Sequence, residues 1–122
     1  ELMSGLATDD ASQAQALAPL PGVRGLVFVG FPLHPAGKPG IERADHLDRV
    51  ALPMLFLQGT RDELADLALL QPVHARLGER ARLVLFDDAD HAFHVRAASG
   101  SNDAQVMQRL LDASAAWIGA LA

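Results

Sequence analysis

Three stretches of the chain are almost continuously apolar, and each is bounded by glycine, proline or acidic residues. They are VRGLVFVGF at 23–31, PMLFLQG at 53–59 and ARLVLFDD at 81–88. None alternates cleanly between apolar and polar positions, which is typical of strands buried on both faces of a parallel sheet. The pattern therefore predicts three parallel strands near these positions.

The segments between the strands have helical character. DDASQAQALA at 9–18 begins with acidic capping residues and ends before prolines, whereas IERADHLDRV at 41–50 has room for a turn or two of helix. DLALLQPVHARLG at 66–78 predicts a helix capped by Asp66 and stopped by Gly78, with Pro72 expected to break or kink it. The last helix follows SGSND and has an apolar stripe near a 3.6-residue period, formed by Val106, Leu110, Leu111, Trp117, Ile118 and Leu121. Trp117 is expected in the core.

Alternation of strands and helices predicts an α/β protein with a mostly parallel sheet and flanking helices. The chain has 122 residues, which is the size of one ordinary domain, and we expect residues 1–122 to form a single or partial domain. Its net charge of −5 and lack of a basic stripe argue against a nucleic-acid partner. No segment is apolar over the ~20 residues that a membrane span requires. There is no cysteine, which excludes disulfides and fits a cytoplasmic protein.

Polar residues follow each predicted strand, and ligands of open α/β sheets bind beyond the carboxyl ends of the strands. The first strand leads into the loop PLHPAGKPG at 32–40, whose His34 and Lys38 are predicted to line a substrate pocket. The second leads into QGTRDE, with Asp62, and the third into DDADHAFH, with His91. If these two strands are neighbours, the two side chains emerge side by side. A carboxylate bonded to an imidazole would then orient it and stabilise the imidazolium.

These residues also have simpler interpretations. Asp62 could serve only as a helix cap, and His91 could be a solvated loop residue. His91, His94 and Asp90 are close enough in sequence for a metal site, although no stronger ligand motif supports it and no metal is predicted. The three prolines around His34 and Lys38 also suit a purely structural loop.

An acid after one strand and a histidine after the next is the second half of the Ser…Asp…His order of α/β-hydrolases. LQGTRDELAD and DDADHAFHV resemble the acid and histidine turns of dienelactone-hydrolase-like members of that superfamily. GLVFVGFPLHPAGKPG resembles the sixth-strand region of a subgroup of small hydrolases. The resemblance covers roughly residues 11–122 and implies the C-terminal half of the fold, with its last three strands. It implies that Asp62 is the triad acid and His91 the base, that the substrate is a small acyl compound, and that no cofactor is needed.

The nucleophile region departs from the family pattern. Members carry G-x-S-x-G on a tight turn after an apolar strand, whereas this chain reads ELMSGLATDD. Ser4 is near the expected distance, but Leu2 and Leu6 occupy the glycine positions, and no apolar strand is predicted before it. Two hypotheses follow: a serine hydrolase acting on an ester, thioester or related acyl bond, or a non-catalytic remnant that serves dimerisation or partner binding.

The resemblance also bears on assembly. By its likeness to the sixth strand of the family, 23–31 is expected at an open edge of the sheet. An unpaired apolar edge strand favours pairing with another chain. We therefore expect a homo-oligomer, or a longer polypeptide that supplies the missing N-terminal half.

Overall fold

A computed structural model describes residues 2–4 and 22–121, and within them four strands form one parallel sheet. The strands are β1 (Leu2–Ser4), β2 (Gly25–Val29), β3 (Met54–Gly59) and β4 (Ala81–Phe86), in the order β1-β2-β3-β4. The three predicted strands are confirmed, each slightly shorter than its apolar run. The α/β class with a parallel sheet and flanking helices is confirmed as well.

Two full helices follow β3 and β4. The first, α1 (Leu67–Leu77), is capped by the Asp66 carboxylate, which accepts the Ala68 N–H at 2.9 Å, and it ends at Gly78, as predicted. It continues through Pro72, which excludes the first of the two predicted effects of this proline, a break, while a kink stays a prediction. The second, α2 (Asp103–Ala120), is capped by the Asn102 side chain. No helix in the described part of the chain has the length and apolar character to span a membrane.

Shorter segments of 3-10 helix complete the connections. Glu42–Arg49 forms one, in place of the predicted turn or two of helix, and Gly78–Arg80 and Ala97–Ser99 form two others. The helix predicted at 9–18 lies outside the described residues.

The sheet is covered on both faces, because alternate residues of each strand point to opposite sides. On one face α1 and the 3-10 segment before β3 pack on Leu26, Phe28, Met54 and Phe56. On the other face α2 packs on Val27, Leu55, Leu57 and Phe86. Burial on both sides explains why the strands are apolar runs without alternation.

The apolar stripe predicted for α2 is confirmed only in part. Val106 and Leu110 are buried, whereas Trp117 is partly buried and packs against the same cluster, so its expected place in the core is confirmed only in part. Leu111 and Ile118 are 54% and 42% exposed, so they lie on the solvent side. The helix is apolar over a wider arc than the sheet covers.

The prediction that 23–31 forms an open edge is wrong. β1 pairs with β2 in parallel register, with Leu2 opposite Gly25 and Ser4 opposite Val27. The strand that we did not expect before the nucleophile region is therefore present. Three residues were too few to produce a recognisable apolar run. The strand is stabilised by its pairing with β2, which the local sequence does not show.

Gly59 ends β3 at a point where two backbones nearly touch. A Cβ atom there would lie 2.2 Å from the carbonyl oxygen of Ala89.

We expect Gly59→Ala to lower the free energy of unfolding by about 3 kcal/mol, because backbone rather than a flexible side chain blocks the added methyl. Gly119→Ala is the matched control, since nothing lies within 4 Å of that Cβ position on α2. It is expected to stabilise the chain by about 0.5–1 kcal/mol in urea denaturation. Equal effects of the two changes would contradict this packing argument.

Candidate active site

The turn after β3 presents the carboxylate of Asp62 to the interior of the molecule. The side chain is completely buried, and its Oδ1 accepts the N–H of Leu64 at 2.8 Å. Its Oδ2 accepts the amide Nε2 of Gln58 at 2.6 Å. A buried carboxylate needs such donors, because it has lost the water that would otherwise solvate its charge.

The turn after β4 is built by its own aspartates. Asp90 Oδ1 accepts the N–H groups of Ala92 and His94, each at 3.0 Å, and so closes a tight loop around His91. Phe93, which has a φ of 65°, packs its ring edge-on against Phe86 in the core. The loop is therefore fixed from both sides.

The two turns meet at the pair that the sequence predicted. Nδ1 of His91 lies 2.8 Å from Oδ2 of Asp62. The imidazole is 38% exposed, whereas the carboxylate is inaccessible. Gly30 lies directly under the ring, since a Cβ atom there would be 3.2 Å from Cε1 of His91. Gly30 has a φ of 78° and directly follows β2, so this glycine both turns the chain and leaves room for the imidazole.

His91 opens onto a pocket of about 350 Å³ lined by Arg61, Glu63, Leu64, Asp90, His91 and Ala92. The pocket lies at the carboxyl edge of the sheet, which is where open α/β sheets bind ligands. The arrangement can orient an imidazole by its Nδ1 and present the ring to a bound molecule.

Asp88 holds the histidine loop to the acid turn. Its carboxylate accepts the guanidinium and the backbone N–H of Arg96, and Nε of Arg61 donates to its carbonyl oxygen at 2.8 Å. The Arg96 guanidinium, with the Arg96 N–H second, lowers the pKa of Asp88 from 3.8 to about 2. Asp88 has a φ of 64°, an uncommon conformation that these contacts maintain.

A second histidine–aspartate pair lies on the surface. Nδ1 of His94 is 2.7 Å from Oδ2 of Asp103, and both side chains are more than half exposed. The hydrogen bond to Asp103 raises the pKa of His94, and the Val95 N–H, followed by His94, lowers the pKa of Asp103. The pair joins the end of the histidine loop to the first turn of α2.

His34 and Lys38 are placed differently from His91. His34 is 4% exposed, and its Nδ1 lies 2.8 Å from the Pro35 carbonyl while its Nε2 accepts the Asp66 N–H at 2.9 Å. Both ring nitrogens thus bind backbone, which supports the structural interpretation of this loop and not substrate contact through the imidazole. Lys38 is exposed and does not line the pocket beside His91.

The described residues contain no group of three or more side chains arranged to hold a metal ion. His91 and His94, which we considered as ligands, each direct Nδ1 to a different aspartate. Asp90, the third ligand considered, uses Oδ1 to bind the backbone of its own loop.

The sequence interpretation missed Gln58, Gly30 and the Arg61–Asp88–Arg96 network. Gln58 could have been noticed, because it is the one polar side chain in the strand MLFLQG and precedes Asp62 by a single turn. Gly30 and the two arginines carry no comparable signal, since their partners lie on other segments of the chain.

A parallel sheet with an acid after one strand and a histidine after the next, bonded to each other, is the arrangement of the α/β-hydrolase class. The chain belongs to a family within this class: a family model described as alpha/beta hydrolase domain matches residues 7–119. Among solved structures, the chain is similar to the esterase domain of a Rhodothermus marinus protein, at 18% identity and a TM-score of 0.57. The match covers 86% of this chain and 54% of that one, so the chain spans about half the length of the esterase domain.

The contacts of His34 predict its importance for stability. We expect His34→Ala to lower the free energy of unfolding by about 1–3 kcal/mol, because the imidazole is buried and its removal takes the acceptor from the partly buried Asp66 N–H. Lys38→Ala, in the same loop but exposed, is expected to change it by less than about 0.5 kcal/mol. Urea denaturation of both variants tests this. An unchanged free energy of unfolding in His34→Ala would contradict a structural role for the His34 contacts.

The lowered pKa of Asp88 predicts a dependence of stability on pH. A carboxyl whose folded pKa lies below its unfolded pKa stabilises the fold above the unfolded value and loses this effect as the pH falls. The stability difference between the native chain and Asp88→Asn is therefore expected to be constant above about pH 5. It should shrink between about pH 4 and pH 2, where Asp88 becomes protonated. Denaturation at several pH values measures this, and a difference that does not depend on pH would refute it.

Proposed function

We propose that this chain carries the acid and base of a serine hydrolase that cleaves an ester, thioester or related acyl bond. Asp62 orients His91 through Nδ1, which leaves Nε2 as the ring nitrogen that exchanges protons with the nucleophile and the leaving group. The observation that carries the proposal is the 2.8 Å contact between Asp62 Oδ2 and His91 Nδ1 beside an open pocket.

In the proposed reaction His91 removes the proton of a serine hydroxyl while its oxygen attacks the acyl carbon. The imidazolium that forms is stabilised by Asp62, and it returns the proton to the leaving group as the acyl bond breaks. Water then hydrolyses the acyl-enzyme by the same route. No step requires a metal or organic cofactor.

The nucleophile is assigned to one of two sources. Ser4 lies in β1, whose parallel pairing directs its carboxyl end to the same edge of the sheet as β2. The alternative source is a segment of a longer polypeptide or of a second copy. A homo-oligomer stays a prediction, although β1 covers the strand edge from which we inferred it. Placement in the dienelactone-hydrolase-like subgroup and a cytoplasmic location also stay predictions.

A second candidate function is a non-catalytic hydrolase-like remnant that serves dimerisation or partner binding. The sequence favours it, because leucines occupy the two glycine positions of the family motif at Leu2 and Leu6, where the family's tight turn has room only for glycine. Such a remnant would keep the Asp62–His91 pair as a purely structural contact.

Covalent labelling by a fluorophosphonate separates these functions. We expect labelling of one serine in the native chain, at a rate reduced about 10⁴-fold in Asp62→Asn and about 10⁶-fold in His91→Ala. Ser4→Ala abolishes labelling if Ser4 is the nucleophile, and intact mass with peptide mapping identifies the labelled serine otherwise.

The chain supplies its own control in the surface pair of His94 and Asp103, which has the same contact at 2.7 Å. His94→Ala and Asp103→Asn are expected to leave the labelling rate within about twofold, since neither lines the pocket beside His91. Absence of labelling in both the native chain and a longer polypeptide that contains it, or an equal loss in the two pairs, would refute the hydrolase proposal.

A further inference from the structure

A buried amide lies beside the candidate acid, on the face of β3 that also carries Phe56. Gln58 is completely buried, on the strand that ends at Gly59. Its Oε1 accepts the Phe31 N–H at 3.1 Å, and its Nε2 donates to Asp62 Oδ2 at 2.6 Å. An amide in such an apolar setting is costly unless its polar atoms are bonded, and both of them are.

The partners allow only one orientation of this amide. The Phe31 N–H can only donate, and an ionised carboxylate can only accept. A flipped Gln58 would place its NH₂ group against the Phe31 N–H and its carbonyl against Asp62. The backbone at the end of β2 therefore determines which end of Gln58 reaches the acid.

Gln58 also determines how Asp62 faces the histidine. The Leu64 N–H holds one carboxylate oxygen at 2.8 Å, and Gln58 holds the other, which is the oxygen that lies 2.8 Å from His91 Nδ1. Two donors on opposite oxygens fix the plane of the carboxylate without any help from His91. Only one of the two is a side chain.

We propose that Gln58 is a positioning residue that holds Asp62 in the orientation in which it binds His91, and that it transmits the position of the Phe31 backbone to this pair. The proposal deepens the proposed function, because an oriented acid has a catalytic purpose only in a hydrolase. The proposal also gives a role to the segment from Phe31 to His34. The Phe31 N–H donates to Gln58, and the His34 N–H donates to the Leu64 carbonyl at 2.9 Å, so this segment holds the acid turn through two hydrogen bonds.

Two substitutions separate the two bonds of Gln58. Gln58→Met has a similar length and removes both bonds. Gln58→Glu keeps an acceptor for the Phe31 N–H at every pH, but the introduced carboxyl donates to Asp62 only while it is protonated. Burial and the adjacent Asp62 carboxylate raise the pKa of that introduced carboxyl. In Gln58→Glu the hydrogen bond to Asp62 is therefore lost as the pH rises and the carboxyl loses its proton.

The readout is the solvent exchange rate of the His91 Nδ1–H, measured by NMR on the full chain and assigned by its loss in His91→Gln. In Gln58→Met exchange is expected to be about tenfold faster than in the native chain, because the acceptor is no longer held in place. In Gln58→Glu it is expected to match the native rate at low pH and to accelerate relative to it as the pH rises. Gln71→Met and Gln71→Glu make the same changes at an exposed site on α1 and are expected to have no effect.

A merely structural role for Gln58 would accelerate exchange of the core amides of β2–β4 to the same extent, without the pH dependence in Gln58→Glu. That result would overturn the proposal, as would a native rate in both variants or a native chain without a protected His91 Nδ1–H. If Gln58→Met does not fold, the pH series of Gln58→Glu decides alone. The readout requires no turnover, so a chain that hydrolyses nothing can still support or refute the role of Gln58.

Discussion

The buried carboxylate of Asp62 is the constraint on which the rest of this site depends. Transfer of an ionised carboxylate from water into a protein costs several kcal/mol, and hydrogen-bond donors must offset that cost. Here the donors are the Leu64 N–H, the Gln58 amide and the imidazole of His91. Each comes from a different part of the local fold, so the charge is accommodated only when these parts are assembled together.

Assembly is achieved by close backbone approach as much as by side-chain contacts. Gly59 allows the turn after β3 to touch the Ala89 carbonyl, and Gly30 allows the end of β2 to lie under the His91 ring. Thr60 and Arg61 then bond the turn after β4 through the N–H and carbonyl of Asp88. The pair is thus held by a framework of backbone contacts, and the arginines on Asp88 secure that framework.

The two histidine–aspartate pairs show why a contact alone does not define a catalytic site. Their Nδ1–oxygen distances are nearly equal, at 2.8 Å for His91 and 2.7 Å for His94. Only the first has a buried acid and a second donor to the bonded oxygen. His91 also lines the pocket beside it, whereas the pocket near the second pair is lined by Asp103 and not by His94. Burial is what makes the orientation of an acid persistent, because solvent does not compete for its oxygens.

The sequence by itself determined the strands, the α/β class and the caps of α1, because apolar runs and capping residues are local signals. It also determined the pairing of Asp62 with His91, because the carboxyl ends of neighbouring parallel strands meet at the same edge of the sheet. It misplaced the edge of the sheet, since the short β1 is stabilised by pairing with β2 and not by its own pattern. It left two interpretations of His34 open and did not predict its contacts, since only the folded chain brings Asp66 to its ring. Gln58, Gly30 and Asp88 each contact a residue that is distant in sequence, namely Phe31, His91 and Arg61. Tertiary structure alone decided those contacts, because a residue's type shows what it can bond but not what will be beside it.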